Sequence, residues 1–148
     1  LETTKGKIVI ELLPDKAPLA VNSFVFLARE GWFDNAPWHR VLEGFVAQSG
    51  DPSGTGVFGP GYLFKNETND LKFDQAGVVG MANSGADRNG SQFFITLAAT
   101  PNLDGGYTIF GRVIQGMEVV QSLTVRDTSK NADLPPGDKI VTITIEEK

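Results

Sequence analysis

The chain has 148 residues, a net charge of −5 and no cysteine, with 41% hydrophobic and 21% charged residues. One domain of this size buries about 70% of the surface it exposes when unfolded, and the acidic balance argues against nucleic acid, which needs a basic face. Absence of cysteine excludes thiol catalysis, disulfides and thiolate metal sites, and no apolar run reaches the ~18 residues of a membrane span.

The sequence starts at Leu1 rather than methionine, as a mature or trimmed chain does. The absence of cysteine is compatible with any redox compartment and does not locate the chain, which leaves the cytoplasm or, if a leader was removed, the cell envelope. In chain order, KIVIEL (Lys7 to Leu12) alternates Ile8, Ile10 and Leu12 with polar or smaller residues, the pattern of a strand with one buried face. From Pro18 to Glu30 the period becomes helical, with Val21, Phe24, Val25 and Ala28 at i, i+3, i+4 and i+7. Pro18 suits the first turn and Gly31 the C-terminal cap. Short apolar runs follow at Gly77–Met81, Phe93–Leu97 and Thr108–Val113, separated by Gly, Asn, Asp and Pro. A second helix is expected over Met117–Leu123, then a turn at DLPPGD (Asp133–Asp138). The last strand has Val141, Ile143 and Ile145 on its buried face and is expected to pair with the first. Many short strands and two distant helices predict an antiparallel barrel or sandwich with helical caps.

Two local patterns lead nowhere. GTGVFG (Gly54–Gly59) matches a dinucleotide-binding string, but Asp51-Pro52 precedes it and Pro60-Gly61 follows, so no helix starts on its last glycine. It reads as a flexible surface loop. Asp87, Asn89 and Ser91 resemble the start of a calcium loop, but the glycine is misplaced and the closing glutamate is absent. Asn66-Glu67-Thr68 and Asn89-Gly90-Ser91 match the glycosylation pattern, which matters only for a secreted eukaryotic chain.

Three segments carry the chemistry: WHRVLEGFVAQSGD (Trp38–Asp51), MANSGADRNGSQFFITL (Met81–Leu97) and LDGGYTIFGRV (Leu103–Val113). Singly, their residues read blandly. Arg40 alone is a salt-bridge arginine, Phe45 and Phe94 alone are core, and Val41, Ile95 and Ile109 read as core. His39, the one histidine, has no orienting acid at a fixed position and does not make a triad.

Together these segments resemble the cyclophilin family of peptidyl-prolyl isomerases, in its single-domain, bacterial-like form. The family patterns FHRV-x-x-GF-x-x-QGGD, MAN-x-G-x-x-x-NGSQFFI and LDG-x-x-x-x-FG-x-V all occur, in order, and the resemblance spans the whole chain, 1–148. It implies a mainly β fold: a closed eight-stranded antiparallel β-barrel capped by two α-helices, with the active site in an outer groove. It implies rotation about Xaa–Pro bonds that assists protein folding. By the same resemblance Arg40, Phe45, Gln48 and Asn83 are catalytic. His39, Val46, Ala82, Ser84, Gln92, Phe94, Asn102, Leu103 and Tyr107 fall at substrate-binding positions.

The implied reaction needs neither cofactor nor metal. Its partners are proline-containing peptides and unfolded or partly folded proteins; neither nucleic acid nor a membrane span is expected, and the chain is expected to be a monomer. Departures from the pattern are Trp38 for phenylalanine, Glu43 for a frequent proline, Ser49 for glycine, Val46 for methionine and Tyr107 for a frequent histidine. Asn102 stands where the family often has tryptophan, so weak cyclosporin binding is expected. Two other classes are a proline-peptide binding module that does not turn its ligand over and a barrel with no site. The first would be favoured by loss of Arg40 or Phe45, and both are present. The second leaves unexplained the polar groups around two phenylalanines.

Overall fold

The computed structural model describes residues 1–127 and 137–147. It is mainly β, with ten short strands and two α-helices: β1 Glu2–Thr3, β2 Gly6–Lys7, β3 Val9–Leu12, α1 Pro18–Arg29, β4 Arg40–Leu42, β5 Val46–Ser49, β6 Val78–Asn83, β7 Asn89–Thr96, β8 Ile109–Gln115, α2 Met117–Gln121, β9 Arg126–Asp127 and β10 Ile140–Thr142. Seven strands make one sheet in the order β3-β8-β6-β7-β5-β4-β9, and three make another, β10-β1-β2. Every pairing in both sheets is antiparallel. No described helix is long and apolar enough to cross a membrane.

Strand alternation divides the apolar side chains between the two faces of the large sheet. Val41, Ala47, Phe93, Ile95, Val79, Met81 and Phe110 face inward and join the core beneath α1. Val46, Phe94, Val78 and Ile109 face the other way and form a second cluster around Phe73. Phe24 anchors the main core, with its ring centroid 5.1 Å from Phe33, 5.4 Å from Phe93 and 5.4 Å from Phe110. Trp38 is fully buried and meets Phe93 edge to face at 5.9 Å, so the larger ring at this position fills the core.

Helix α1 buries Ala20, Val21, Phe24, Leu27 and Ala28, as its spacing predicts, while Val25 is half-buried and Phe26 is exposed. Pro18 fits the first turn because its missing N–H has no helical partner to lose. Ala17 at the N-cap offers no side-chain acceptor. A distant loop supplies one: Glu67 Oε2 accepts from Leu19 N at 2.9 Å and Oε1 from Ala20 N at 2.8 Å. A carboxylate here satisfies orphan donors and faces the positive end of the helix dipole.

Two expectations about the termini need correction. The strand read over Lys7–Leu12 is interrupted at Ile8, which is fully buried between β2 and β3. Its longer half pairs with β8, with Ile10 opposite Val113 and Leu12 opposite Gly111, rather than with the last strand. The last strand pairs instead with β1, with Glu2 opposite Thr142 and Thr3 opposite Ile140. Within it Ile140 and Ile143 are buried and Val141 is exposed, so the alternation slips where β10 ends. Helix α2 is shorter than Met117–Leu123, stopping at Gln121, although Leu123 is buried. The expected turn at Asp133–Asp138 lies outside the described residues up to position 136.

Candidate active site

Antiparallel register lines up one row of residues across five neighbouring strands. Arg40 lies opposite Gln48, Gln48 opposite Phe94, Phe94 opposite Gly80, and Gly80 opposite Ile109. Directly opposed residues send their side chains to the same face, so a cation, an amide and an apolar ring stand side by side there. Gly80 is what lets the ring lie flat: a Cβ at this position would stand 2.9 Å from Phe94 Cζ and 3.2 Å from Phe73 Cε1. The β4–β5 turn that carries Phe45 closes with Phe45 N donating to Leu42 O at 3.0 Å.

Around Phe94 the second cluster forms an apolar socket. Val46, Phe73, Val78, Phe94 and Ile109 are buried, and Phe45, Leu71, Ala82, Leu103 and Tyr107 pack against them. Phe73 stacks on Phe94 at 5.5 Å, and Tyr107 meets Phe94 edge to face at 5.6 Å. Each such pair adds about 0.5–1.5 kcal/mol beyond burial. The structure thus brings together Phe45, Val46, Ala82, Phe94, Leu103 and Tyr107 from three distant motifs. Phe73 and Leu71 also belong to the socket, and no motif marks them; Val78, from the apolar run Gly77–Met81, joins them. Phe73 is tied in by its backbone: its N donates to Asp104 Oδ1 at 2.7 Å, and its O accepts from Thr100 N at 2.9 Å. The alternation of Leu71 and Phe73 in LKFDQAG marks a short apolar pair and nothing in it marks a socket.

Among the other expected residues, Asn83 and Ser84 follow Ala82 in the chain and Asn102 precedes Leu103. Asn83 ends β6, with Nδ2 donating to Gly106 O at 3.2 Å and Oδ1 accepting from Gly85 N at 3.2 Å, so its side chain ties two loops together. Ser84 is exposed and accepts from Arg88 Nε at 3.2 Å. Asn102 is exposed in a single helical turn, Pro101–Leu103. Ser49 is fully buried and donates to Pro37 O at 2.9 Å. The Asn89 side chain is also fully buried, with Nδ2 donating to Phe64 O and Asn66 Oδ1, which leaves no room for a glycan.

Polar residues beside the socket form a directed chain. Gln48 Nε2 donates to Gln92 Oε1 at 2.9 Å, and Gln92 Nε2 donates to Gly56 O at 2.9 Å. His39 is only 3% exposed; its ring lies 3.3 Å from where a Cβ at Gly56 would stand. Burial holds the His39 pKa below its ordinary 6.5 and outweighs Asp51 and Gln92, which favour the protonated ring. The Gly54–Gly59 loop is built on a charge. Asp51, fully buried, gathers the backbone N–H groups of Ser53, Gly56, Val57 and Phe58 onto its carboxylate. Burial pushes the Asp51 pKa up, but hydrogen bonds from Ser53, Phe58 and Gly56 prevail and hold it below the ordinary 3.8. The loop expected to be flexible is therefore organised around a single carboxylate.

Comparison with known proteins follows the same lines. The family described as "Cyclophilin type peptidyl-prolyl cis-trans isomerase/CLD" matches residues 1–145. Peptidyl-prolyl cis-trans isomerase CYP18-2 of Arabidopsis thaliana is 46% identical over 139 residues, 91% of this chain and 84% of that protein. Human peptidyl-prolyl cis-trans isomerase-like 1 is 46% identical over 142 residues, 93% of this chain and 85% of that protein. The crystal structure of a Cryptosporidium parvum cyclophilin type peptidyl-prolyl cis-trans isomerase in the presence of the dipeptide ala-pro superimposes with a TM-score of 0.89 at 34% identity, covering 100% of this chain and 98% of that one.

Proposed function

This chain belongs to the cyclophilin-type peptidyl-prolyl cis-trans isomerases and catalyses rotation about Xaa–Pro bonds; we propose that it does so on the face of the large sheet that carries Arg40, Gln48 and Phe94. The barrier is the partial double bond of the amide, about 18–20 kcal/mol, and the uncatalysed exchange takes tens to hundreds of seconds. No bond is made or broken. The enzyme has only to bind the twisted amide more tightly than either planar form.

In the twisted amide resonance is lost and the prolyl nitrogen gains a lone pair. Arg40, permanently charged and forked, donates to that nitrogen. The proline ring sits in the socket of Phe45, Val46, Phe94 and Leu103, with Ala82 and Tyr107 at its wall. Water excluded from the socket strengthens the interaction of the guanidinium with the nitrogen. Gln48 and the backbone at Asn83 hold the flanking peptide, so one side of the bond turns while the other stays fixed. This is electrostatic and positional catalysis.

The single observation that supports this assignment is the register row, which puts Arg40, Gln48 and Phe94 on one face in consecutive places. Ser84, Gln92 and Asn102 border the groove, and His39 serves it from beneath. The ligands are proline-containing peptides and the exposed prolines of unfolded or partly folded proteins. The whole chain acts as one domain and as a monomer. Cyclosporin binds weakly because Asn102 offers it little apolar area. Exchange spectroscopy on a short Xaa–Pro peptide tests the reading: cis–trans exchange accelerates at micromolar enzyme and is insensitive to chelator, and the peptide shifts the backbone signals of Arg40, Gln48 and Phe94. Acceleration without those shifts would move the site elsewhere.

A further inference from the structure

We propose that Asp51, whose carboxylate is buried away from the groove, is a positioning residue that sets the direction of the Gln48 amide through Gly56 and Gln92. Its Oδ2 accepts from Gly56 N at 2.8 Å, from Val57 N at 3.1 Å and from Phe58 N at 3.1 Å, while Oδ1 accepts from Ser53 N at 2.8 Å and Ser53 Oγ at 2.7 Å. Hydrogen bonds to an ionised acceptor are roughly twice as strong as neutral ones, so this segment is held by charge.

The peptide between Gly56 and Val57 transmits the hold. It is planar and trans, so its N–H and its C=O point in opposite directions. With the Val57 N–H drawn to Asp51, the Gly56 C=O is aimed outward, where it accepts from Gln92 Nε2 at 2.9 Å. That bond, together with the hydrogen bond between the Gln92 side chain and His39, decides which way round the Gln92 amide sits. Its Oε1 is turned to Gln48 and accepts from Gln48 Nε2 at 2.9 Å. Gln48 in turn has its Oε1 on the far side of its amide from Gln92. A substrate N–H therefore meets an acceptor. Without the carboxylate the Gly56 C=O is no longer aimed at Gln92, so the relay loses one of the bonds that tell apart the two ends of its amides, which differ in chemistry but hardly in shape.

The inference rests on the isomerase role of Gln48, and its test separates the two. In the full chain, Asp51→Asn lowers kcat/KM by about 10- to 100-fold, as a misplaced group does, and the loss falls on kcat. In a Gln92→Leu background, Asp51→Asn lowers kcat/KM no further, although it still lowers the urea midpoint. An equal loss of activity in both backgrounds, or none in either, overturns the relay. The Gln48 side-chain amide signals in 15N spectra report the coupling without turnover: they shift in Asp51→Asn. A chain without turnover whose Gln48 signals still shift in Asp51→Asn sinks the isomerase role and leaves the relay standing. Should Asp51→Asn not fold, Gln92→Leu carries the test alone. The backbone N–H signals of Ser53 and Phe58, which lie on other peptides held by the carboxylate, then stay in place while those of the Gln48 side chain move; unmoved Gln48 signals refute the proposal.

Discussion

Arg40 and Gln48 stand directly opposite one another on adjacent antiparallel strands, so the guanidinium and the amide leave the sheet on one face beside Phe94. Removing Arg40 removes the donor to the prolyl nitrogen. Arg40→Ala is expected to lose about 10²–10³-fold in kcat/KM, the size of one transition-state donor. Its side chain is only half-buried, so circular dichroism should stay native. Near-full activity in a natively folded variant would remove Arg40 from the mechanism.

The pH dependence of the rate should differ from that of stability. The proposed chemistry moves no proton, and neither a guanidinium nor an amide changes charge in the accessible range, so kcat/KM is expected to be nearly flat between about pH 6 and 9. Stability behaves otherwise. The His39 pKa is lowered in the fold, so the unfolded chain binds the proton more readily. The stability held by the neutral ring is complete above the ordinary value of 6.5 and declines as pH falls through the folded value. Asp51 has the same sign at lower pH, with its share lost as pH falls below 3.8 and through its own depressed value. Urea unfolding across this range checks the order: His39→Gln should abolish the first decline and keep the second. An inflection in kcat/KM below pH 6.5 that disappears in His39→Gln would instead make His39 a proton-transfer group.

Asn102 sits exposed in the turn before Leu103. An indole there buries over about 150 Å² against a ligand. Asn102→Trp is therefore expected to tighten cyclosporin inhibition, while the unmodified protein is inhibited weakly in the same assay. Equal inhibition of the two would show that this position does not set affinity.

Glu67 holds the start of α1 from a separate loop, and among the described residues no other side chain does so. Glu67→Ala should cost about 1 kcal/mol, within the range for a lost helix cap, or about 2–4 °C in Tm. Its kcat/KM should be unchanged. A variant as stable as the parent would mean that water satisfies those two N–H groups equally well.

The sequence by itself determined the helix at Pro18, the short strands of the middle and, through three motifs in register, the family and its candidate residues. Periodicity is local, and so is legible: it marked Val21, Phe24 and Ala28 as the buried side of the helix without any partner. It could not say which strands pair, because each alternating segment is equally fit to pair with any other. Only the tertiary structure joined β3 to β8 and β1 to β10. Phe73 was illegible for the same reason. A lone phenylalanine becomes the floor of a socket only when Gly80, on another strand, leaves room for Phe94 to stack on it. Glu67 and Asp51 are the clearest cases. Their carboxylates act on backbone N–H groups, which every residue but proline carries, so no residue type in the sequence marks the partner, and only the folded chain decides which donors each one meets.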